Sequence, residues 1–253
     1  TEGTEACSFE LKGQRFAVLI CEDVWQGAPA ALAKEQAADW ALVLNASPYE
    51  IGKAQQREDL LQTLAKHLHL GFVYVNQAQG QDELVFDGGS CVVAADGQVL
   101  QRSEAFNEGL HLVELQLEGA TVRAQPAACV PLPSLEASVY QALVVGVRDY
   151  VRKNGFKGVV LGLSGGIDSA LTLAVAVDAL GAEHVEAVMM PYHYTAQMSL
   201  DDAEAEAKAL GVVYRVLPIA AMVEAFMGTL APVFEGMGRD TTEENLQARC
   251  RGT

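Results

Sequence analysis

Residues 161–170 read LGLSGGIDSA: an apolar run, then serine, two glycines and an aspartate, then a second serine at the start of another apolar run. No other feature constrains the fold as much. A buried strand that passes through a glycine turn directly into a helix belongs to a parallel sheet, because the helix must carry the chain back across the sheet. The flanking pattern agrees. A helical stretch over Leu135–Lys153, closed by Asn154-Gly155, precedes a strand over 158–163 and a helix over 168–180. Strands over 185–190 and 212–217 then alternate with helices over 200–210 and Ala220–Leu230. This regularity predicts a parallel sheet covered on both faces.

Chemistry follows from the turn itself. Gly165 and Gly166 permit a sharp bend that exposes backbone N–H groups to an anion, and the helix after it adds its positive N-terminal end. Ser164 and Ser169 add hydroxyl donors. Asp168 would repel phosphate unless a cation lies between them, which calls for Mg²⁺. The run is not a Walker A loop, since G-x-x-x-x-G-K-[ST] is absent. The ordinary alternative makes Ser164 or Asp168 a helix cap, which accounts for one polar residue and not for the whole of S-G-G-x-D-S. The motif resembles that of the ATP pyrophosphatase (PP-loop) family, which cleaves ATP between its α and β phosphates. That resemblance implies ATP binding by Gly162, Leu163, Ser164, Gly165, Gly166, Ile167, Asp168 and Ser169, with Mg²⁺ at Asp168.

The first half has a different grammar. Strands are expected over 15–21, Trp40–Asn45 and 72–76, with helices over 29–40 and over 53–70, the latter closed by Gly71. Short strands over 84–86, 90–94 and 98–102 follow, divided by Asp-Gly-Gly and Asp-Gly turns, and then an alternating strand over 109–117. This is α+β with hairpins. Pro126, Pro131 and Pro133 mark 119–134 as the interdomain linker.

Cys21 stands at the end of RFAVLIC, ahead of Glu22 and Asp23. A cysteine is ordinarily a small buried hydrophobe, and two adjacent carboxylates weaken a thiol as a nucleophile unless a base and a cation are near. The setting points to a nucleophile nonetheless. AVLICEDVW, NASPYEIGK (45–53), YVNQ and the D-G-G-S turn (87–90) resemble the glutamine-hydrolysing branch of the nitrilase family. Those amidases use a Cys-Glu-Lys triad on an α-β-β-α sandwich. The resemblance makes Cys21 the nucleophile, Glu22 a site-orienting neighbour, and Ser47 and Lys53 glutamine contacts. The triad Glu and Lys precede the nucleophile in that family, and this chain has only twenty residues before Cys21.

A nitrilase-like half followed by a PP-loop half resembles the glutamine-dependent NAD⁺ synthetase family, which amidates deamido-NAD⁺ with ammonia released from glutamine. MPYHYT (190–195), SLDDA (199–203) and EENLQARCRG (243–252) resemble segments of its synthetase domain. An ordinary reading of Ser199 is a cap on the next helix. Asn245 and Arg249, four apart on one helical face, would contact deamido-NAD⁺. The expected division is a C-terminal part of a nitrilase-like domain over 1–118, the linker over 119–134, and an N-terminal part of a PP-loop domain, adenine nucleotide alpha hydrolase-like, over 135–253. The resemblance runs past both ends of this sequence, which starts at Thr1 without a Met, and implies a central piece of a longer protein that is expected to be inactive by itself. Rival readings are another PP-loop glutamine-dependent amidotransferase and a non-catalytic nucleotide-binding module.

Composition narrows the partners. With 33 acidic against 17 basic side chains and a formal charge of −16, the surface repels nucleic acid and anionic membranes. The longest apolar run, 170–180, is too short for a membrane span and contains Asp178. Five scattered cysteines without C-x-x-C suit a reducing cytoplasm. His67 and His69, two apart on a helix, make no metal site. The family resemblance further implies a homo-oligomer.

Overall fold

The computed structural model describes residues 6–118, 121–235 and 241–252, so residues 119–120 of the expected linker lie outside the described residues. The chain divides into two compact units, Thr1–Asp149 and Tyr150–Thr253. Both are α/β, the first as part of an α-β-β-α sandwich and the second around a parallel sheet.

The first unit is built on strands β1 (Cys7–Leu11), β2 (Gln14–Ile20), β3 (Trp40–Asn45) and β4 (Gly71–Asn76). Helices α1 (Glu22–Gln26) and α2 (Ala28–Glu35) join β2 to β3, and α3 (Lys53–Leu68) joins β3 to β4. A small hairpin of β5 (Ala78–Gln81) and β6 (Leu84–Asp87) follows, then β7 (Cys91–Val93) and β8 (Val99–Arg102). The sheet order is β1-β2-β3-β4-β7-β8, with β2, β3 and β4 parallel and both ends antiparallel.

Alternation along β3 decides what covers each face. Ala41 and Val43 point into a core with Val24, Ala30, Ala33, Leu61 and Ala65 from the three helices. Trp40 and Leu42 point the other way, to a second cluster with Leu115 and Val122. Those two residues come from a hairpin of β9 (Leu115–Glu118) and β10 (Thr121–Ala124), and the Trp40 indole N–H donates to the Val122 carbonyl at 3.1 Å.

Four expectations change here. The long helix ends at Leu68 with His69 left-handed (φ 50°), and Gly71 opens β4 instead of closing the helix. Gly71 is small because Trp40 lies against it: a Cβ there would stand 2.6 Å from the indole. The strand expected over 109–117 is confined to Leu115–Glu118, since nothing covers Leu110 and Leu112, which are 93% and 84% exposed. The proline-rich segment is also more structured than a linker. It contains β10, and Ala127, Ala128 and Val130 hydrogen-bond along Leu100 and Arg102. The sequence reading also missed β1, α1 and β5.

Helix α4 (Leu135–Lys153) follows, with Ala142 and Val145 packed against Phe106 in the first unit. In the second unit, β11 (Val159–Gly162), β12 (Val185–Met189) and β13 (Val213–Val216) pair in parallel and in chain order, linked by α5 (Ile167–Leu180) and α6 (Gln197–Leu210). Right-handed crossovers between consecutive neighbours carry both helices to one side, and α5 touches α6. Among the described residues the expected cover on both faces is absent: Val160 and Val213, which share one face, are 68% and 50% exposed. Helices α7 (Ala220–Leu230) and α8 (Thr242–Gly252) complete the unit, packed together through Val223, Met227 and Cys250.

Gly71→Ala is expected to lower stability by about 1–3 kcal/mol, the usual cost of overpacking a filled core; thermal unfolding of the chain measures it, and an unchanged midpoint would show that Trp40 has room to move.

Candidate functional site

In-register pairing sets Ile20 opposite Leu44 and Asn45 opposite Asn76, so β2, β3 and β4 end level with one another. The carboxyl edge of a parallel sheet is where α/β proteins gather functional groups. Cys21 is the first residue past β2. Its N–H donates to the Leu44 carbonyl at 3.0 Å, which extends the ladder by one bond. Its φ of 45° and ψ of −98° then turn the chain at once into α1. A non-glycine residue at positive φ is strained, and such strain collects at functional sites.

Asp23 stabilises this elbow, because its Oδ2 accepts the Ile20 N–H at 2.8 Å. Glu22 is exposed, and its Oε1 accepts from Gln26 at 2.9 Å. Of the two carboxylates it is thus Asp23 that bonds the turn's backbone. Cys21 itself is partly exposed.

Ser47 lies just past β3 and is 4% exposed. Its N–H donates to Asn76 Oδ1 at 3.0 Å. Lys53, the first residue of α3, holds its Nζ 4.7 Å over the Trp25 ring and 3.4 Å from Glu50 Oε2. Trp25 lies in α1, so Lys53 stands against the helix that Cys21 opens. The fold thereby gathers Cys21, Ser47 and Lys53 at one sheet edge.

Three polar residues beneath this edge carry no role in the sequence reading: Arg57, Asn76 and Asp87. They are 5%, 6% and 3% exposed. Arg57 pairs with Asp87, and Asn76 Nδ2 reaches Asp87 Oδ1 at 3.4 Å and the Gly88 carbonyl at 3.1 Å. Asn76 and Asp87 lie within the quoted YVNQ and D-G-G-S segments, but only the fold shows that they meet. Asn76, Gly88 and Ser90 also line a cavity of about 300 Å³ with Ser103, Asn107 and His111.

Tyr74, one rung below Asn76 on the same face, is pushed up to about 12 by burial, against the pull of the Arg57 charge. Cys91 also rises to about 12, through burial first and the Glu58 carboxylate second. Glu58 is held bidentately by Arg102, with Nη2 to Oε2 at 2.8 Å.

In the second unit the glycine turn leaves β11 as the motif requires. Gly165 has φ 77°, and a side chain there would run into the Ser199 backbone. Ser164 and Ser169 hydroxyls meet at 3.0 Å, the Gly166 N–H donates to Ser164 Oγ at 3.3 Å, and the Ser164 N–H to Ser169 Oγ at 3.2 Å. The N-cap of α5 is Gly166, without a side-chain cap bond, so the capping alternative for Ser164 and Asp168 is not realised. Ile167 and Asp168 are exposed in the first helical turn, Gly162 ends β11, and Leu163 is buried with its N–H on the Val188 carbonyl at 2.9 Å. The donor set fits Mg²⁺: one accessible carboxylate beside hydroxyls, with places left for water and phosphate oxygens. Among the described residues no three His, Cys, Asp or Glu side chains cluster as a metal site.

Ser199 does not cap α6. It sits inside the first turn, and the N-cap is Ala196, again without a side-chain bond. Asn245 and Arg249 are exposed on α8, while Cys250 turns inward and Arg251 Nε donates to the Met190 carbonyl at 3.2 Å. His193 Nε2 is 3.1 Å from Glu224 Oε1. No helix among the described residues is long and apolar enough to cross a membrane.

Comparison with known proteins matches residues 2–125 to the carbon-nitrogen hydrolase family and 139–253 to the NAD synthase family. A glutamine-dependent NAD(+) synthetase of Acinetobacter baylyi is 47% identical over 99% of this chain and 46% of its own length. The Thermotoga maritima enzyme of that description is 39% identical over 99% of the chain and 49% of its own length. The structure of a glutamine-dependent NAD⁺ synthetase from Acinetobacter baumannii in complex with ADP superposes with TM-score 0.95 at 48% identity, covering 100% of this chain and 48% of that one. The chain spans about half the length of the curated relatives it matches.

The buried acids carry a testable consequence. The unfolded chain releases the Cys91 and Tyr74 protons near 9 and 10, whereas the folded chain holds both to about 12. The folded state binds more protons across that window, so stability is intact below it and falls as pH rises through it. Chemical denaturation at a series of alkaline pH values is expected to show this fall, with a shallower slope for Cys91→Ala; an unchanged slope would remove Cys91 from the account.

Proposed function

Because the chain belongs to the glutamine-dependent NAD⁺ synthetase family, we propose that it supplies the nucleophile part of the glutaminase and the ATP-binding part of the synthetase. The observation that supports this most is positional. Cys21 and the Ser164–Ser169 turn each stand immediately past the carboxyl end of a parallel strand, one at a strained elbow and the other at a helix start.

In the first unit, Cys21 Sγ attacks the side-chain amide carbon of glutamine. The C–N bond breaks, ammonia leaves carrying the proton that the thiol gave up, and a thioester remains. Water hydrolyses the thioester to glutamate and frees the thiol. Ser47 and Lys53 hold the amino-acid end of glutamine, Asp23 holds the elbow through the Ile20 N–H, and Glu22 beside it orients the site.

In the second unit, backbone N–H groups of 164–169 and the Ser164 and Ser169 hydroxyls hold the ATP phosphates at the start of α5, flanked by Gly162, Leu163 and Ile167. Asp168 would hold Mg²⁺, which when bound neutralises phosphate charge. The nicotinate carboxylate of deamido-NAD⁺ attacks the α-phosphate, and the bond to pyrophosphate breaks. Ammonia then attacks the activated carbonyl carbon, and AMP leaves as NAD⁺ forms. Asn245 and Arg249 bind deamido-NAD⁺, with Arg249 suited to a phosphate or carboxylate. We place the working enzyme in the cytoplasm as a homo-oligomer.

The test uses a full-length protein carrying this sequence. Cys21→Ala is expected to abolish NAD⁺ formation from glutamine while leaving formation from ammonium salts within about twofold, because uncoupling the nitrogen source leaves the synthetase barrier untouched. Asp168→Ala is expected to remove both. Equal loss of both activities in Cys21→Ala, or retained Mg²⁺-dependent turnover in Asp168→Ala, would contradict the respective assignment.

A further inference from the structure

Arg57 is an expensive residue to bury. It lies on the inner face of α3, 5% exposed, and pairs with an Asp87 that is 3% exposed. A buried ion pair of this kind is seldom more stable than apolar side chains of the same volume, so stability alone does not account for it. Its connections do. Asp87 uses one oxygen for Arg57 and the other for Asn76 Nδ2. The same amide group faces the Ser47 carbonyl at 3.4 Å, and Asn76 Oδ1 takes the Ser47 N–H at 3.0 Å. The Asn76 main-chain N–H donates to Ser90 Oγ at 3.0 Å. An unbroken buried relay therefore runs from α3, across the ends of β6 and β4, to the main chain of Ser47.

The relay also reaches Lys53. Arg57 and Lys53 are four apart on α3 and share a face. Anchoring the guanidinium to Asp87 sets the rotation of the helix, and with it the position of Lys53 over Trp25.

We propose that the Arg57–Asp87–Asn76 relay is the positioning device of the glutamine pocket: it fixes the Ser47 backbone and the Lys53 side chain before substrate arrives. None of the three touches the reacting atoms. The proposal rests on the glutaminase reading of Cys21, Ser47 and Lys53, and its effect falls on glutamine recognition and not on the synthetase.

The experiment measures NAD⁺ formation by the full-length protein with glutamine and, separately, with ammonium salts. Arg57→Met is expected to raise KM for glutamine about tenfold or more, with kcat changed only a few-fold, as loss of ground-state positioning does. Arg57→Lys, which keeps the charge and one bond, is expected to recover part of that loss. Ammonium-driven formation serves as the folding control and is expected to stay at the parent level. A double variant, Arg57→Met with Asp87→Leu, removes both charges, and Asn76 Nδ2 keeps the Gly88 carbonyl at 3.1 Å as its partner. Its unfolding midpoint is expected to return to the parent value while KM for glutamine stays raised. If KM recovers together with stability, the pair is structural only and the proposal fails. It fails equally if Arg57→Met leaves KM unchanged, or if ammonium-driven formation falls in step with glutamine-driven formation. Absence of glutamine-driven turnover in the parent protein would instead overturn the glutaminase reading itself.

Discussion

Parallel strands in register must end together, and both candidate sites depend on that. In the first unit, Ile20, Leu44 and Val75 share one rung, so whatever follows each strand is delivered to a common edge. Cys21, Ser47 and Asn76 come from sequence positions far apart, yet no long-range search is needed to bring them together once the sheet has formed. The helical layer beneath adds Arg57 from the face that also carries Leu61 and Ala65. In the second unit the same rule places the glycine turn beyond Gly162 and the 190–195 segment beyond Met189. The cost is that backbone groups lose their ladder partners at this edge. Side chains replace them: Asp23 for Ile20, Asn76 for Ser47, and the two serines for the turn.

Much of this was legible in the residues. Strand β3 falls at Trp40–Asn45 and helices α4 and α7 at Leu135–Lys153 and Ala220–Leu230, as their periodicity indicates. The helices pack by an apolar face and β3 is apolar on both of its covered faces, so local pattern and tertiary demand agree. Where the two part, the sequence misleads. Gly71 looks like a helix terminator, but its smallness answers to Trp40 across the sheet. The 109–117 run alternates like a strand, but alternation does not create a pairing partner. Cover on both faces of the second sheet was inferred from element order alone, and strand order in space decided otherwise.

The sites divide along the same line. Cys21, Ser47, Lys53 and the Ser164–Ser169 turn announce themselves because each lies in a contiguous motif. Arg57 lies in no motif, and Asp23, Asn76 and Asp87, although inside quoted segments, take their meaning from whom they meet, thirty residues away in the case of Arg57 and Asp87. Net charge was equally indirect. A surface formally at −16 coexists with an inward-facing guanidinium and a cradle of N–H groups. Long-range charge governs encounter, and short-range geometry governs binding.

The backbone at Cys21 has an evolutionary corollary. Its φ of 45° suits glycine, so a cysteine there imposes a standing load of about 1–3 kcal/mol on a fold whose whole margin is about 5–15 kcal/mol. Drift under selection for persistence alone would let that position relax to glycine, whereas, on the glutaminase function proposed above, selection for chemistry would hold the thiol in place. The residue found at this elbow in any descendant lineage is therefore a readable record of whether the lineage still uses its first unit.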